Sequence, residues 1–141
     1  MAPRLKYVVD TSVFTHLLHA AVREAFIARD GDMLVTKMAR LERGFSAASA
    51  HDWKVLNNAV SSLCQTVDSE DRDYDRALAV QEMLASGGLK GRKPPDLLIA
   101  AAAERLGATV LHYDNDFALI STVTGQPHAW IVPKGSLARP T

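Results

Sequence analysis

Short apolar runs alternate with stretches of helical periodicity along this chain, and that alternation leaves few folds open to it. The runs are Tyr7–Val9, Met33–Val35, Cys64–Val67, Thr109–His112 and Ala129–Val132. Between them, Val13, Phe14, Leu17, Leu18, Ala21 and Val22 recur at helical spacing, continued by Ala25 to Ile27 up to Asp30-Gly31, which predicts one or two helices. Thr36 caps a predicted helix through Met38, Leu41 and Phe45. Residues 51–63 place Trp53, Leu56, Val60 and Leu63 on one side of another. A further helix runs through Ala77, Val80 and Leu84 to Gly87-Gly88. Pro95-Asp96 opens an alanine-rich helix to Leu106, stopped by Gly107, and a short helix follows from Phe117 to about Val123. Strands separated by helices can pair only in parallel, with the helices as crossovers. The predicted fold is α/β, a three-layer α/β/α arrangement around a central parallel sheet of four to five strands.

One run does more than build the sheet. In Lys6-Tyr7-Val8-Val9-Asp10-Thr11-Ser12-Val13-Phe14 the strand stops on a carboxylate and passes into hydroxyl residues. Asp10 therefore stands at the carboxyl end of a buried strand, the edge where ligands bind in open α/β sheets. Other acids return to that edge. Asp114 and Asp116 follow the strand ending at His112, Asp96 begins a helix, and Glu42 lies in the second turn of the helix after the second strand. Each has an ordinary use as a helix cap, a dipole partner or a solvated side chain. Capping does not require every strand end on one edge to be acidic, and gathered carboxylates repel one another unless a cation offsets them. Mg²⁺ and Mn²⁺ suit such oxygen donors and pair naturally with substrate phosphate, so the implied chemistry is phosphodiester hydrolysis.

Composition narrows the alternatives. A chain of 141 residues suits a single domain spanning 1–141. Sixteen basic and sixteen acidic residues cancel, so a nucleic-acid partner must be met by local charge. Cys64 is the only cysteine, which fits a reducing compartment, with the cytoplasm the expected address. The apolar run after Arg4 and Lys6 is too short for a secretory core, and no segment approaches the roughly 20 apolar residues that cross a bilayer. The acidic run Asp68, Glu70, Asp71, Asp73 and Asp75 is expected to be a solvated helix start.

Four segments taken together resemble the PIN-domain ribonucleases, especially the VapC-type toxins of bacterial toxin–antitoxin pairs. They are Val8–Phe14, Leu41-Glu42-Arg43-Gly44, Pro95–Ala102 and Leu111–Phe117, in that order and spacing. The resemblance implies a PIN fold and a Mg²⁺- or Mn²⁺-dependent endoribonuclease. It also implies inhibition by a cognate VapB-type antitoxin over the active-site groove, and pairing into a homodimer through helices. Carried over by position, Asp10, Asp96 and Asp114 match the metal-binding aspartates, Glu42 the helix glutamate that completes the quartet, and Asp116 a less regular fifth acid. His112 stands where threonine is frequent in the family.

Arg43, Lys90, Arg92 and Lys93 are the candidate RNA-phosphate contacts, because a neutral protein needs a local cationic rim beside an acidic site. Thr11 and Ser12 are expected to cap the first helix or to hold a ligand carboxylate. Among the five histidines, His16, His19, His51, His112 and His128, only His112 is expected near the acids, which disfavours a metal-free histidine mechanism. Trp53 and Trp130 are expected in the core or a dimer surface. A phosphatase of the haloacid dehalogenase type wants an acid where Ser12 stands, and a receiver-type phosphoacceptor wants an acidic pair near the first strand. The remaining alternative is a PIN-like module that binds RNA or protein without cleaving it.

Overall fold

The computed structural model describes residues 3–90 and 92–137. Gly91, between the candidate RNA contacts Lys90 and Arg92, and the last four residues lie outside the described residues. The chain runs β1 (Lys6–Val9), α1 (Thr11–Thr15), α2 (Ala20–Ala28), β2 (Asp32–Thr36), α3 (Lys37–Phe45) and α4 (Ala50–Leu63). It continues through β3 (Gln65–Val67), α5 (Asp71–Ser86), α6 (Pro94–Arg105), β4 (Thr109–His112), α7 (Asn115–Thr124) and β5 (His128–Trp130). All five strands pair in parallel, in the order β3-β2-β1-β4-β5.

Successive residues of a strand face opposite sides of the sheet. Tyr7, Val8 and Val9 are nevertheless all buried, so helices cover both faces of β1. The sheet grows one way from β1 through β2 to β3, then returns past β1 to β4 and β5. The point where that direction reverses lies between β1 and β4, and a crevice opens outside their carboxyl ends. Val8 lies opposite Val110 and Val9 opposite Leu111, and the Asp10 N–H donates to the Leu111 carbonyl at 2.9 Å. The strand ends carrying Asp10 and Asp114 are thereby locked side by side.

Element ends depart from expectation in a few places, each for a local reason. Cys64 completes α4 by donating its N–H to the Val60 carbonyl, so β3 starts one residue later. Helix α6 takes both Pro94 and Pro95 into its first turn, where a missing N–H costs nothing. Strand β5 is shifted toward the N-terminus of the expected run Ala129–Val132 and takes in His128. Its register sets Trp130 opposite His112, the last residue of β4, so no partner remains for Val132. Thr36 caps α3 as expected, accepting from the Ala39 N–H at 3.1 Å.

The acidic run is only partly a solvated helix start. Glu70 and Asp73 form a capping box on α5, and Asp73 is then buried, 1% exposed, against Arg105 of α6. The turn into β2 depends on the lack of a side chain at Gly31. A Cβ there would come within 2.8 Å of the Leu5 carbonyl oxygen and 2.6 Å of the Tyr7 ring. Gly31→Ala is therefore expected to cost about 1–3 kcal/mol in chemical denaturation, where an exposed turn would show almost none.

Candidate metal centre

Each acid reaches the crevice by a different local device. Asp10 is the N-cap of α1, and its Oδ2 accepts from the Ser12 N–H at 3.0 Å and the Ser12 hydroxyl at 2.6 Å. Asp114 is the N-cap of α7, with Oδ1 accepting from the Asp116 N–H at 2.9 Å. Asp96 sits in the first turn of α6, and Glu42 in the second turn of α3, with its Oε1 3.3 Å from the Thr11 hydroxyl. The capping reading of Asp10 holds for one oxygen, and the other is left free for a ligand. Asp10 Oδ2 serves the helix, while Asp10 Oδ1 and Asp96 Oδ2 are buried without any hydrogen-bond partner. Buried polar atoms are ordinarily paired, so two orphaned carboxylate oxygens in one crevice leave room for a cation.

The acids form two overlapping groups. One oxygen each from Asp10, Glu42 and Asp96 lie within 4.8 Å of one another, and so do one each from Asp96, Asp114 and Asp116. Asp96 belongs to both. Its carboxyl is pushed up to about 8, first by burial and then by the neighbouring charges of Asp10 and Asp114. Asp10 is raised too, again mainly by burial, against the lowering effect of its Ser12 bonds. Burial and then Asp10 raise Glu42, while the Thr11 bond and Lys93 pull it down. The site is short of positive charge, and its donors are hard oxygens, the set that Mg²⁺ or Mn²⁺ takes.

The expected cationic residues do not act alike. Arg92 is turned inward, its guanidinium bonded to Asp116 Oδ1 at 2.9 Å and to the Lys90 carbonyl at 2.8 Å. Lys93 is exposed yet close enough to act on Glu42, and the Lys90 side chain is also exposed. Arg43 follows Glu42 on α3 but approaches Ser46, and it lines a small cleft with Arg40, Gly44 and Trp53.

Two contacts support the acids, the first expected of Ser12 as a partner of a ligand carboxylate and the second not expected. The Ser12 hydroxyl donates to Asp10 and accepts from the Tyr113 N–H at 2.8 Å, tying the β1 turn to the β4 turn. His112 is fully buried, and its Nδ1 accepts from the Asp114 N–H at 3.1 Å. That bond puts its proton on Nε2, 2.9 Å from His128 Nδ1. Burial, helped by His128, drives the His112 pKa down to about 3, so the ring is neutral and serves to set the Asp114 turn. A serine two residues after a strand-end aspartate was the signal for the first contact; nothing local marks the second.

Five parallel strands, a switch-point crevice and a quintet of acids define a PIN domain, and the chain belongs to the PIN-domain family, whose model matches residues 7–122. Within that family it is similar to the VapC proteins. It is 47% identical over 135 residues to Ribonuclease VapC51 of Mycobacterium tuberculosis, covering 94% of this chain and 98% of that one. It is 38% identical over 136 residues to Ribonuclease VapC18 of the same organism, covering 93% and 98%. Its fold matches a chain in the crystal structure of VapBC2 from Rickettsia felis bound to a promoter DNA fragment, with a TM-score of 0.75 at 13% identity over 89% of this chain and 98% of that one.

Proposed function

We propose that the chain is a Mg²⁺- or Mn²⁺-dependent endoribonuclease toxin that a VapB-type antitoxin neutralises. The observation that carries this is the pair of overlapping acid groups with two orphaned buried oxygens. The reading is supported by relatives named as VapC ribonucleases and by structural neighbours in VapBC assemblies. Asp10, Asp96 and Asp114 would hold the ion, with Asp116 and Glu42 completing the cluster. When bound, such an ion lowers the pKa of a water and polarises a phosphoryl oxygen. Thr11 holds Glu42 Oε1, which leaves Oε2 to accept a proton from the attacking water. Lys90 and Lys93 face solvent as RNA-phosphate contacts, and Arg43 extends that rim along α3. Arg92 completes the rim beside Asp116, with which it is paired at 2.9 Å.

The chain acts as one domain and works in the cytoplasm, where its RNA substrate and its antitoxin partner meet it. Among the described residues no helix is long and apolar enough to cross a membrane. Two apolar surfaces offer room for two protein partners, the antitoxin and a second copy in a homodimer. One is a cavity of about 300 Å³ lined by Met38, Tyr74, Leu78, Pro94 and Leu97. The other, about 150 Å³, is lined by Leu17, Phe26, Ile27 and Leu63. Contiguous apolar surface of this kind marks association sites.

The test is cleavage of RNA by the purified chain in Mn²⁺, in excess chelator, and with the antitoxin encoded beside it. Loss of cleavage in the last two conditions is expected. Equal cleavage in chelator would overturn the reading.

Ion binding also carries a pH signature. The unfolded Asp96 carboxyl titrates near its ordinary 3.8, and the folded one near 8. Between those values the folded chain retains a proton that the unfolded chain has released, so ion-free stability falls as pH rises. The ion needs the deprotonated acids. Saturating Mn²⁺ is expected to raise the melting temperature more at pH 8 than at pH 5, measured by thermal shift; equal shifts at both pH values would contradict the assignment.

A further inference from the structure

A row of rings runs from the acid cluster toward the C-terminal segment. Tyr113 immediately precedes Asp114, and its N–H is bonded to the Ser12 hydroxyl that holds Asp10. Its ring centroid lies 5.0 Å from that of His16 and 5.6 Å from that of Trp130, in both cases edge-on. Two polar atoms of this row are engaged within the protein. His16 Nδ1 donates to the Ser12 carbonyl at 2.7 Å, and the Tyr113 oxygen accepts from the Gly135 and Leu137 N–H groups at 3.1 and 3.3 Å. Those bonds hold the His16 and Tyr113 rings, Trp130 packs against Tyr113, and all three rings remain partly exposed. Lys134 ends the row. Its ammonium lies 5.8 Å from the Trp130 ring centroid and donates to Asn115 Oδ1, on the residue after Asp114, at 3.0 Å.

Unpaired RNA bases are taken up by stacking on aromatic and histidine side chains, and the backbone phosphates by nearby cations. Rings held rigid before binding lose little freedom when a base arrives. A chain of zero net charge must place its cations locally to hold RNA against an acidic centre, and Lys134 is such a cation. We propose that His16, Tyr113 and Trp130, with Lys134, form the nucleotide-binding flank of the site. One unpaired base of single-stranded RNA lies against the rings, and an adjoining phosphate meets Lys134. This assignment rests on the ribonuclease reading above.

The chain has two tryptophans, so Trp53→Phe leaves Trp130 as the sole reporter. In Trp53→Phe carrying Asp96→Asn, which leaves bound RNA uncut, a short single-stranded RNA is expected to quench Trp130 fluorescence to saturation, and a duplex of the same sequence is not. Lys134→Ala and Tyr113→Leu are each expected to weaken that binding about ten-fold. In the otherwise wild-type chain, Lys134→Ala is expected to raise KM about ten-fold with kcat unchanged within two-fold. If Tyr113→Leu fails to fold, Lys134→Ala decides. RNA bound, by anisotropy of a labelled strand, without any quench or any effect of Lys134→Ala overturns the flank and leaves the ribonuclease reading standing. Saturable quenching in a chain whose wild type shows no ion-dependent cleavage supports the flank and overturns the ribonuclease reading.

Discussion

Asp96→Asn is expected to lower RNA cleavage by at least about 10³-fold while making the ion-free protein more stable. Asp96 is the one acid common to both groups, so its loss removes an oxygen ligand from each. A loss of about 4 kcal/mol of ion-dependent stabilisation, as metal catalysis commonly supplies, corresponds to that factor. The stability effect has the opposite sign. Asp96 is 4% exposed and faces Asp10 and Asp114, which is why its carboxyl is held near 8. Asparagine has nearly the same volume and no charge, so the repulsion from Asp10 and Asp114 is removed. In chelator at pH 8 the variant is expected to melt about 5 °C higher than wild type. Activity within ten-fold of wild type, or a lower melting temperature in chelator, would show that the acids are not gathered for a cation. The trade is the usual one at a functional site, where charge kept for binding is held at the expense of folding.

Asp73→Ala is expected to be the most destabilising single change away from the centre, at about 3–5 kcal/mol. Asp73 accepts two bonds from Arg105, at 2.8 and 3.1 Å, and the Glu70 N–H at 2.9 Å. Arg105 is only 13% exposed and also donates to the Asp68 carbonyl. This cluster fastens the start of α5 to the far end of α6, the helix that carries Asp96 at its other end. Truncation leaves the enclosed guanidinium without its main counterion. A fall in melting temperature of about 10–15 °C is expected, with cleavage in the cold nearly unchanged because the first turn of α6 is untouched. Burial alone would raise the Asp73 carboxyl, but the Arg105 bonds and the Glu70 N–H outweigh it and hold it below its ordinary 3.8. Its stabilisation is therefore present above pH 4 and is lost as pH falls through the folded value, so the gap between wild type and variant should close in acid. A constant gap would assign the effect to packing alone.

The sequence by itself determined the layers and the acidic edge. Apolar runs such as Tyr7–Val9 and Thr109–His112, separated by helical periodicity, admit a parallel sheet and little else, and the acids at their carboxyl ends lie together once that sheet forms. Thr36 as a cap and Pro95-Asp96 as a helix opening were legible for the same reason, since caps and first-turn residues act within a few positions of themselves. The tertiary structure decided how each charge is used. Asp10 gives one oxygen to Ser12 and leaves the other bare, Arg92 turns to Asp116 across 24 positions, and Asp73 meets Arg105 across 32. It also placed His128 beside His112 and gathered Tyr113, Trp130 and Lys134 next to the acids. Periodicity and capping are short-range and print themselves on neighbouring residues. The partner of a buried charge is set by which helix ends and strand ends meet when the layers pack, and no local pattern encodes that meeting.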